Sequence, residues 1–324
     1  MYHVVVAGPL HPSGRALLDT AENVTVSYID ETSEESLASE IDQADAVLLR
    51  TQPLTELTVA KANRLKIVSR HGVGYDAVDV EALSACGIAL AVCGDVNSTT
   101  VAEHIAMMIL ATNKRLLKGD AVVRRGPWEW RNKLEARDIR GQNLLLVGFG
   151  RIGRIAGTMM QAFGMEVRAH DPFLMQNGWP EGFVPPVRTL EEGLGWADVI
   201  SFSLPHAGAP LIGAEQISGM RDGVVVINTA RGGIIDEASL IAALRSGKIG
   251  AAGLDVFAVE PMPEEHPLAR FDQVILSPHI GGLTHDAAER MAVSSAENIL
   301  NFFAGQIDQS LIVNRGQISA EHQN

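Results

Sequence analysis

Three residues able to do chemistry follow strand-like runs in the second half of the chain. Arg231 comes after GVVVIN (223–228), Glu260 shortly after GAAGLDV (250–256), and His279 at the end of QVILSPH (273–279). Each has small or rigid neighbours: Gly232 and Gly233, Pro261, and Pro278 with Gly281 and Gly282. An arginine offers a carboxylate a planar, permanently charged fork. A histidine gives or takes a proton near neutral pH. Singly, each has an ordinary explanation: a salt bridge, a solvated acid before proline, a satisfied imidazole. All three stand where strands end at their carboxyl side, and that is where open α/β sheets bind ligands.

A second signal is NLLLVGFGRIGRIAG (143–157), in which Gly148, Gly150 and Gly153 stand between a strand and a helix. The first glycine permits the tight turn, the second lets the backbone approach a pyrophosphate, and the third lets helix pack on strand. Arg151 and Ile152 open that helix, whose free N–H groups would face phosphates. Three glycines can also be no more than a tight turn. The next strand-like run, MEVRAHD, ends in Asp171, placed to accept from a ribose 2′-hydroxyl and to repel the 2′-phosphate of NADP. The other reading of Asp171 is a helix cap before Pro172. Together the two features predict NAD.

The elements that must carry these residues alternate. HVVVAG, VTVSYI, DAVLLR, KIVSR and GIALAV predict strands in the first ninety-odd residues, with helix-compatible segments between them and Ser33 as a helix cap. A second alternation starts at Asn143. Between the two, residues 98–126 carry helical spacing, followed by a polar arm with Trp128 and Trp130; a last helical stretch covers 284–305. The expected fold is α/β with two doubly wound parallel sheets. The first domain, 1–98 plus 285–324, is expected to be discontinuous and flavodoxin-like; the second, 99–284, Rossmann-like.

Length agrees: 324 residues exceed one core of ordinary size. A net charge of −13 argues against nucleic acid or an anionic membrane as partner. No uncharged apolar stretch reaches the ~20 residues of a membrane helix, and MYHVVVAGPL has no basic leader. Two cysteines, Cys86 and Cys93, lack metal-ligand spacing, and no metal site is expected. A cytoplasmic protein is the expectation.

GFGRIG, INTARGG, GLDVFAVEP and SPHIGG, in this order, resemble the D-isomer-specific 2-hydroxyacid dehydrogenases, as do SRHGVGYDAVD (69–79) and NSTTVAEH (97–104). The resemblance implies hydride exchange between NAD and a 2-hydroxy or 2-oxo acid in a cleft between the domains. Arg231 would bind the substrate's carboxylate and its oxygen. His279 would be the general acid and base, with Glu260 hydrogen-bonded to it. The N–H groups of Val73 and Gly74, with His71 and Gly72 beside them, would grip the carboxylate. Asp255 would face the nicotinamide carboxamide; Val101, Leu204, Pro205, Thr229, Ala230 and Gly281 would approach the cofactor. Arg50 and Arg70, at two strand exits, resemble the positions that phosphoglycerate-type members turn on a distal phosphate; the alternative is surface ion pairing. LPHAGAP departs from the family pattern, with His206 adjacent to the cofactor and not catalytic. The tryptophan arm matches the region through which members form homodimers. A formate dehydrogenase would carry glutamine at 260, so that reading is disfavoured. Glyoxylate or hydroxypyruvate reduction, and a non-catalytic NAD(H)-sensing corepressor, stay as alternatives.

Overall fold

The computed structural model describes residues 1–182, 184–205 and 208–318. The chain forms two units: residues 1–97 together with the segment from Thr284 onward, and residues 98–283.

The first unit is built on five parallel strands, β1 (Tyr2–Ala7), β2 (Val24–Ile29), β3 (Ala46–Leu49), β4 (Ile67–Arg70) and β5 (Ala89–Ala91), in the order β2-β1-β3-β4-β5. Val4, Val5, Val6, Val47 and Leu48 are fully buried, because helices cover both faces and alternation is lost. The helix His285–Phe303 lays Ala292, Ala296, Ile299 and Phe302 into the core formed with Val4, Val6 and Leu48. It approaches the helix Pro12–Asp19 closely; a Cβ at Gly14 would sit 2.7 Å from the carbonyl oxygen of Ala292. Short polar side chains start the helices as expected. Ser33 Oγ accepts from Ser36 N, and Thr284 Oγ1 from Ala287 N.

The second unit holds six parallel strands: β6 (Asn143–Val147), β7 (Glu166–His170), β8 (Val199–Phe202), β9 (Val224–Asn228), β10 (Ile249–Leu254) and β11 (Val274–Leu276). Their order is β11-β10-β9-β8-β6-β7. The chain steps outward from β6 to β7, then crosses back to β8 on the other side of β6. That reversal opens a crevice at the carboxyl ends of β6 and β8. The helix Ser98–Asn113 is apolar nearly all round and buries Val101, Ala102, Ile105, Met108 and Ile109 against Leu144, Leu146 and Phe149.

The helical spacing over 98–126 resolves into two helices, Ser98–Asn113 and Leu116–Arg125. Arg115 adopts φ 52°, and Asn113 Nδ2 donates to the Ile109 carbonyl, giving that carbonyl a side-chain donor at the helix end. The arm contains a short 3₁₀ helix, Trp128–Lys133. No helix among the described residues is long and apolar enough to cross a membrane.

Candidate active site

In the second unit the glycine motif does what its spacing requires. Gly148 has φ +92°, and a Cβ there would lie 2.3 Å from Ser203 O. A Cβ on Gly153 would lie 2.4 Å from Gly148 O. Around Gly150, by contrast, nothing stands within 4 Å of a built Cβ, so space remains above the helix Arg151–Ala162, whose first N–H groups have no intrahelical acceptor. Phe149 anchors the loop: fully buried, it stacks on Trp179 at 5.2 Å between ring centroids. Asp171 takes the capping role that its position left open and adds a second contact within the fold. Its Oδ1 accepts from Leu174 N (3.1 Å) and caps the helix Pro172–Asn177; its Oδ2 accepts from Phe149 N (2.8 Å) and ties the glycine loop to β7. Each oxygen keeps a further lone pair for a hydroxyl.

Ser203 Oγ, Thr229 Oγ1 and His170 Nδ1 are buried and have no hydrogen-bond partner among the described residues. They follow or end β8, β9 and β7, the edge beside the crevice. Buried polar atoms are normally paired, so this edge, with the open glycine cradle, fits a dinucleotide. Leu204 is half-buried and Pro205 exposed on the same edge, while Val101 is buried in its helix. His206 lies outside the described residues.

The three chemical residues come from consecutive strand ends. Asn228 shapes the turn after β9, accepting from Ala230 N (3.1 Å) and donating to the Arg231 carbonyl (2.9 Å). Arg231 is half-buried, and its Nη1 donates to Ala230 O at 2.7 Å. Behind it, Gly232 lies so close to the next loop that a Cβ would fall 1.9 Å from Phe257 C and O. That loop carries Glu260, whose Oε1 accepts from Phe257 N (3.0 Å) and whose Oε2 pairs with His279 Nδ1 (2.7 Å). A carboxylate accepts at Nδ1, so the proton sits there and Nε2 is the atom left to exchange one. The His279 and Glu260 side chains are 51 % and 35 % exposed, open to a substrate.

Asp255, after β10, is engaged within the fold. Its carboxylate is 1 % exposed and accepts from Ile280 N (2.9 Å), Gly281 N (2.7 Å) and Ser277 Oγ. The charge holds the turn of His279 in place, and the Gly281 N–H expected near the cofactor is engaged there too. Ser277 Oγ in turn lies 3.0 Å from His104 Nε2, a contact that sequence reading did not single out.

In the first unit Arg50, after β3, is half-buried, and burial alone lowers its pKa. Its Nη1 donates to Pro9 O at 2.8 Å, and among the described residues no carboxylate pairs with it. Arg70 donates to its neighbour's carbonyl, His71 O, at 2.9 Å. Gly72 (φ +140°) turns the chain after β4, and the N–H groups of Val73 and Gly74 make no hydrogen bond within the described residues.

His71 is buried, and its Nε2 has no hydrogen-bond partner among the described residues. Burial first, then the charges of Arg50 and Arg70, push its pKa down to about 3, partly opposed by backbone carbonyls. The folded value is depressed below the ordinary ~6.5, so between the two the unfolded chain binds the extra proton and stability falls as pH falls. At pH 5 the deficit from this group is about 2 kcal/mol relative to neutral pH. We expect His71→Asn to flatten the pH dependence of the urea midpoint between pH 7 and 5. An unchanged slope would mean that His71 is not held neutral.

Two other features lie apart from this chemistry. A cavity of about 300 Å³ lined by Asn113, Arg115, Arg137, Gly223 and Gly250 sits at the amino ends of β9 and β10, the wrong edge for the strand-end residues. In the first unit His11, His285 and Glu289 bring potential ligand atoms within 4.8 Å of one another. His11 Nδ1 accepts from Ser13 N and Glu289 Oε1 from Ser13 Oγ, which are helix-end contacts.

The second sheet is a dinucleotide-binding sheet with an acid–base pair and an arginine at its carboxyl edge, the arrangement of an NAD-linked oxidoreductase. Residues 106–281 match the NAD binding domain of the D-isomer specific 2-hydroxyacid dehydrogenases. Over 322 residues the chain is 35 % identical to D-3-phosphoglycerate dehydrogenase of Mycobacterium bovis, covering 98 % of this chain and 60 % of that one. It is 33 % identical to hydroxypyruvate reductase of Thermotoga maritima, covering 92 % and 97 % respectively. Among solved structures, the TT0316 protein of Thermus thermophilus superposes with a TM-score of 0.85 at 31 % identity, covering 95 % of this chain and 98 % of that one. The chain belongs to the D-isomer specific 2-hydroxyacid dehydrogenase family and uses a nicotinamide dinucleotide. It spans about 60 % of the length of the first curated relatives that it matches.

Proposed function

We propose that this chain interconverts a D-2-hydroxy acid and its 2-oxo acid with NAD. The observation that carries the reading is the Glu260–His279 pair at 2.7 Å, set on the same sheet edge as Arg231. When bound, NADH supplies the hydride to the C2 carbonyl carbon. Arg231 holds the carboxylate and orients the carbonyl. His279 donates the proton from Nε2 to the carbonyl oxygen as charge develops there, and takes it back in oxidation. Glu260 fixes the ring through Nδ1. In this reading the N–H groups of Val73 and Gly74 also bind substrate.

The substrate in this reading carries a second anionic group. Arg50 supports it, as a half-buried cation at a strand exit with no carboxylate partner among the described residues. Glyoxylate or hydroxypyruvate reduction is the alternative, supported by the hydroxypyruvate reductase relative matched over nearly its full length. A corepressor would bind NADH without turnover. The protein acts in the cytoplasm as a homodimer, with Trp128, Leu134 and Val123 (62 %, 84 % and 69 % exposed) supplying apolar surface in and beside the arm.

The test is NADH oxidation with 2-oxo acids with and without a distal anion, for the unaltered chain and for Arg50→Ala and Arg70→Ala. Either change raises KM for the anionic-tailed acid by roughly ten- to a hundredfold, the loss of one charge-assisted bond. KM for glyoxylate moves little. Equal effects on both substrates would make the two arginines structural.

A further inference from the structure

We propose that His104 is a positioning residue for His279, acting through Ser277 and Asp255; this rests on His279 being the proton donor. His279 adopts φ 53°, a left-handed conformation that is unfavourable for a residue with a Cβ. Something must hold it. Its own N–H donates to the Asp255 carbonyl (2.8 Å), and the next two N–H groups, of Ile280 and Gly281, donate to the Asp255 carboxylate. A Cβ at Gly281 would stand 2.8 Å from Asp255 Oδ2 and 3.6 Å from His104 Cδ2, so the three residues are in close packing.

The protons in this network have a single arrangement. Ser277 has one hydroxyl proton, and Asp255 Oδ1 can only accept it. Ser277 Oγ therefore accepts from His104, and the proton of that contact is on Nε2. The order is His104 Nε2–H to Ser277 Oγ–H to Asp255, which also receives the backbone of the His279 turn. His104 stands 3.6 Å from Asp255 Oδ1 in a side chain only 11 % exposed, and Asp255 has no arginine or lysine partner among the described residues. Without His104, Ser277 loses the donor that keeps its proton on Asp255, and the buried carboxylate holds the turn less firmly.

His104→Leu and His104→Gln test this, because glutamine can keep a donor near the Nε2 position and leucine cannot. Two readouts are taken: hydrogen exchange of the Ile280 and Gly281 amides in the protein without cofactor, and steady-state kinetics with NADH and a 2-oxo acid. We expect the leucine variant to exchange these amides at least about tenfold faster and to lose kcat by about ten- to a hundredfold, as misplacement of a reacting group does. NADH affinity should be nearly unchanged, and glutamine should restore most of both. Unchanged exchange in the leucine variant overturns the proposal. So does restored exchange without restored kcat. If His104→Leu does not fold, Ser277→Ala cuts the same chain and must give the same exchange signature. If no 2-oxo acid is turned over by the unaltered chain, the proposed activity falls, and the exchange experiment still decides whether His104 holds the turn.

Discussion

His279→Ala lowers kcat/KM by about 10²–10⁴ in both directions, the usual contribution of a positioned acid or base. His279 stands apart from the glycine turn at Gly148, Gly150 and Gly153, which is proposed to hold the dinucleotide, so NADH binding measured by fluorescence is expected to stay nearly unchanged. Glu260→Gln loses less, because a glutamine oxygen still accepts from Nδ1–H and only the charge assistance is removed. The two variants together separate proton transfer from ring orientation. Turnover of His279→Ala within a factor of ten of the unaltered chain would remove His279 from the chemistry.

Arg231→Lys is the second large effect. Lysine keeps the charge but lacks the planar fork that meets a carboxylate with two parallel bonds. Losing one such bond and the orientation it imposes corresponds to about 3 kcal/mol, roughly a hundredfold in kcat/KM. The loss should be confined to substrates with a carboxylate. A neutral 2-oxo amide, already poor, should lose little more. Equal losses on acid and amide would show that Arg231 supports the fold around Gly232 and Phe257 instead of holding substrate.

Much of this was visible in the chain itself. The strands follow from apolar runs that only a sheet covered on both faces can bury, as at Val224–Asn228. The glycine motif could be placed because each of its glycines has a separate steric reason. What the sequence left open was decided by contacts distant along the chain. Asp171 could cap a helix or wait for a ribose; in the fold it caps and also holds Phe149 N. Asp255 gave no sign in the sequence of the turn it holds, where its carboxylate accepts from the N–H groups of residues 280 and 281. His104 carried no local signal, standing on an apolar helix between buried Val101 and Ile105. Its partners are more than 150 positions away, brought there by parallel crossovers that no short window can show. The break at Arg115 was hidden for a related reason, since the apolar spacing continues across it.

The segment that completes the first unit also inverts the timetable of its manufacture. Val4, Val6 and Leu48 leave the ribosome long before Ala292, Ala296 and Ile299, the residues that cover them. Between them lie residues 98–283, a contiguous stretch with a core of its own. At about 5–20 residues per second, translating that stretch takes roughly 10–40 s. Throughout that interval the earlier-made sheet has one face without its cover. The part synthesised first is therefore the part finished last.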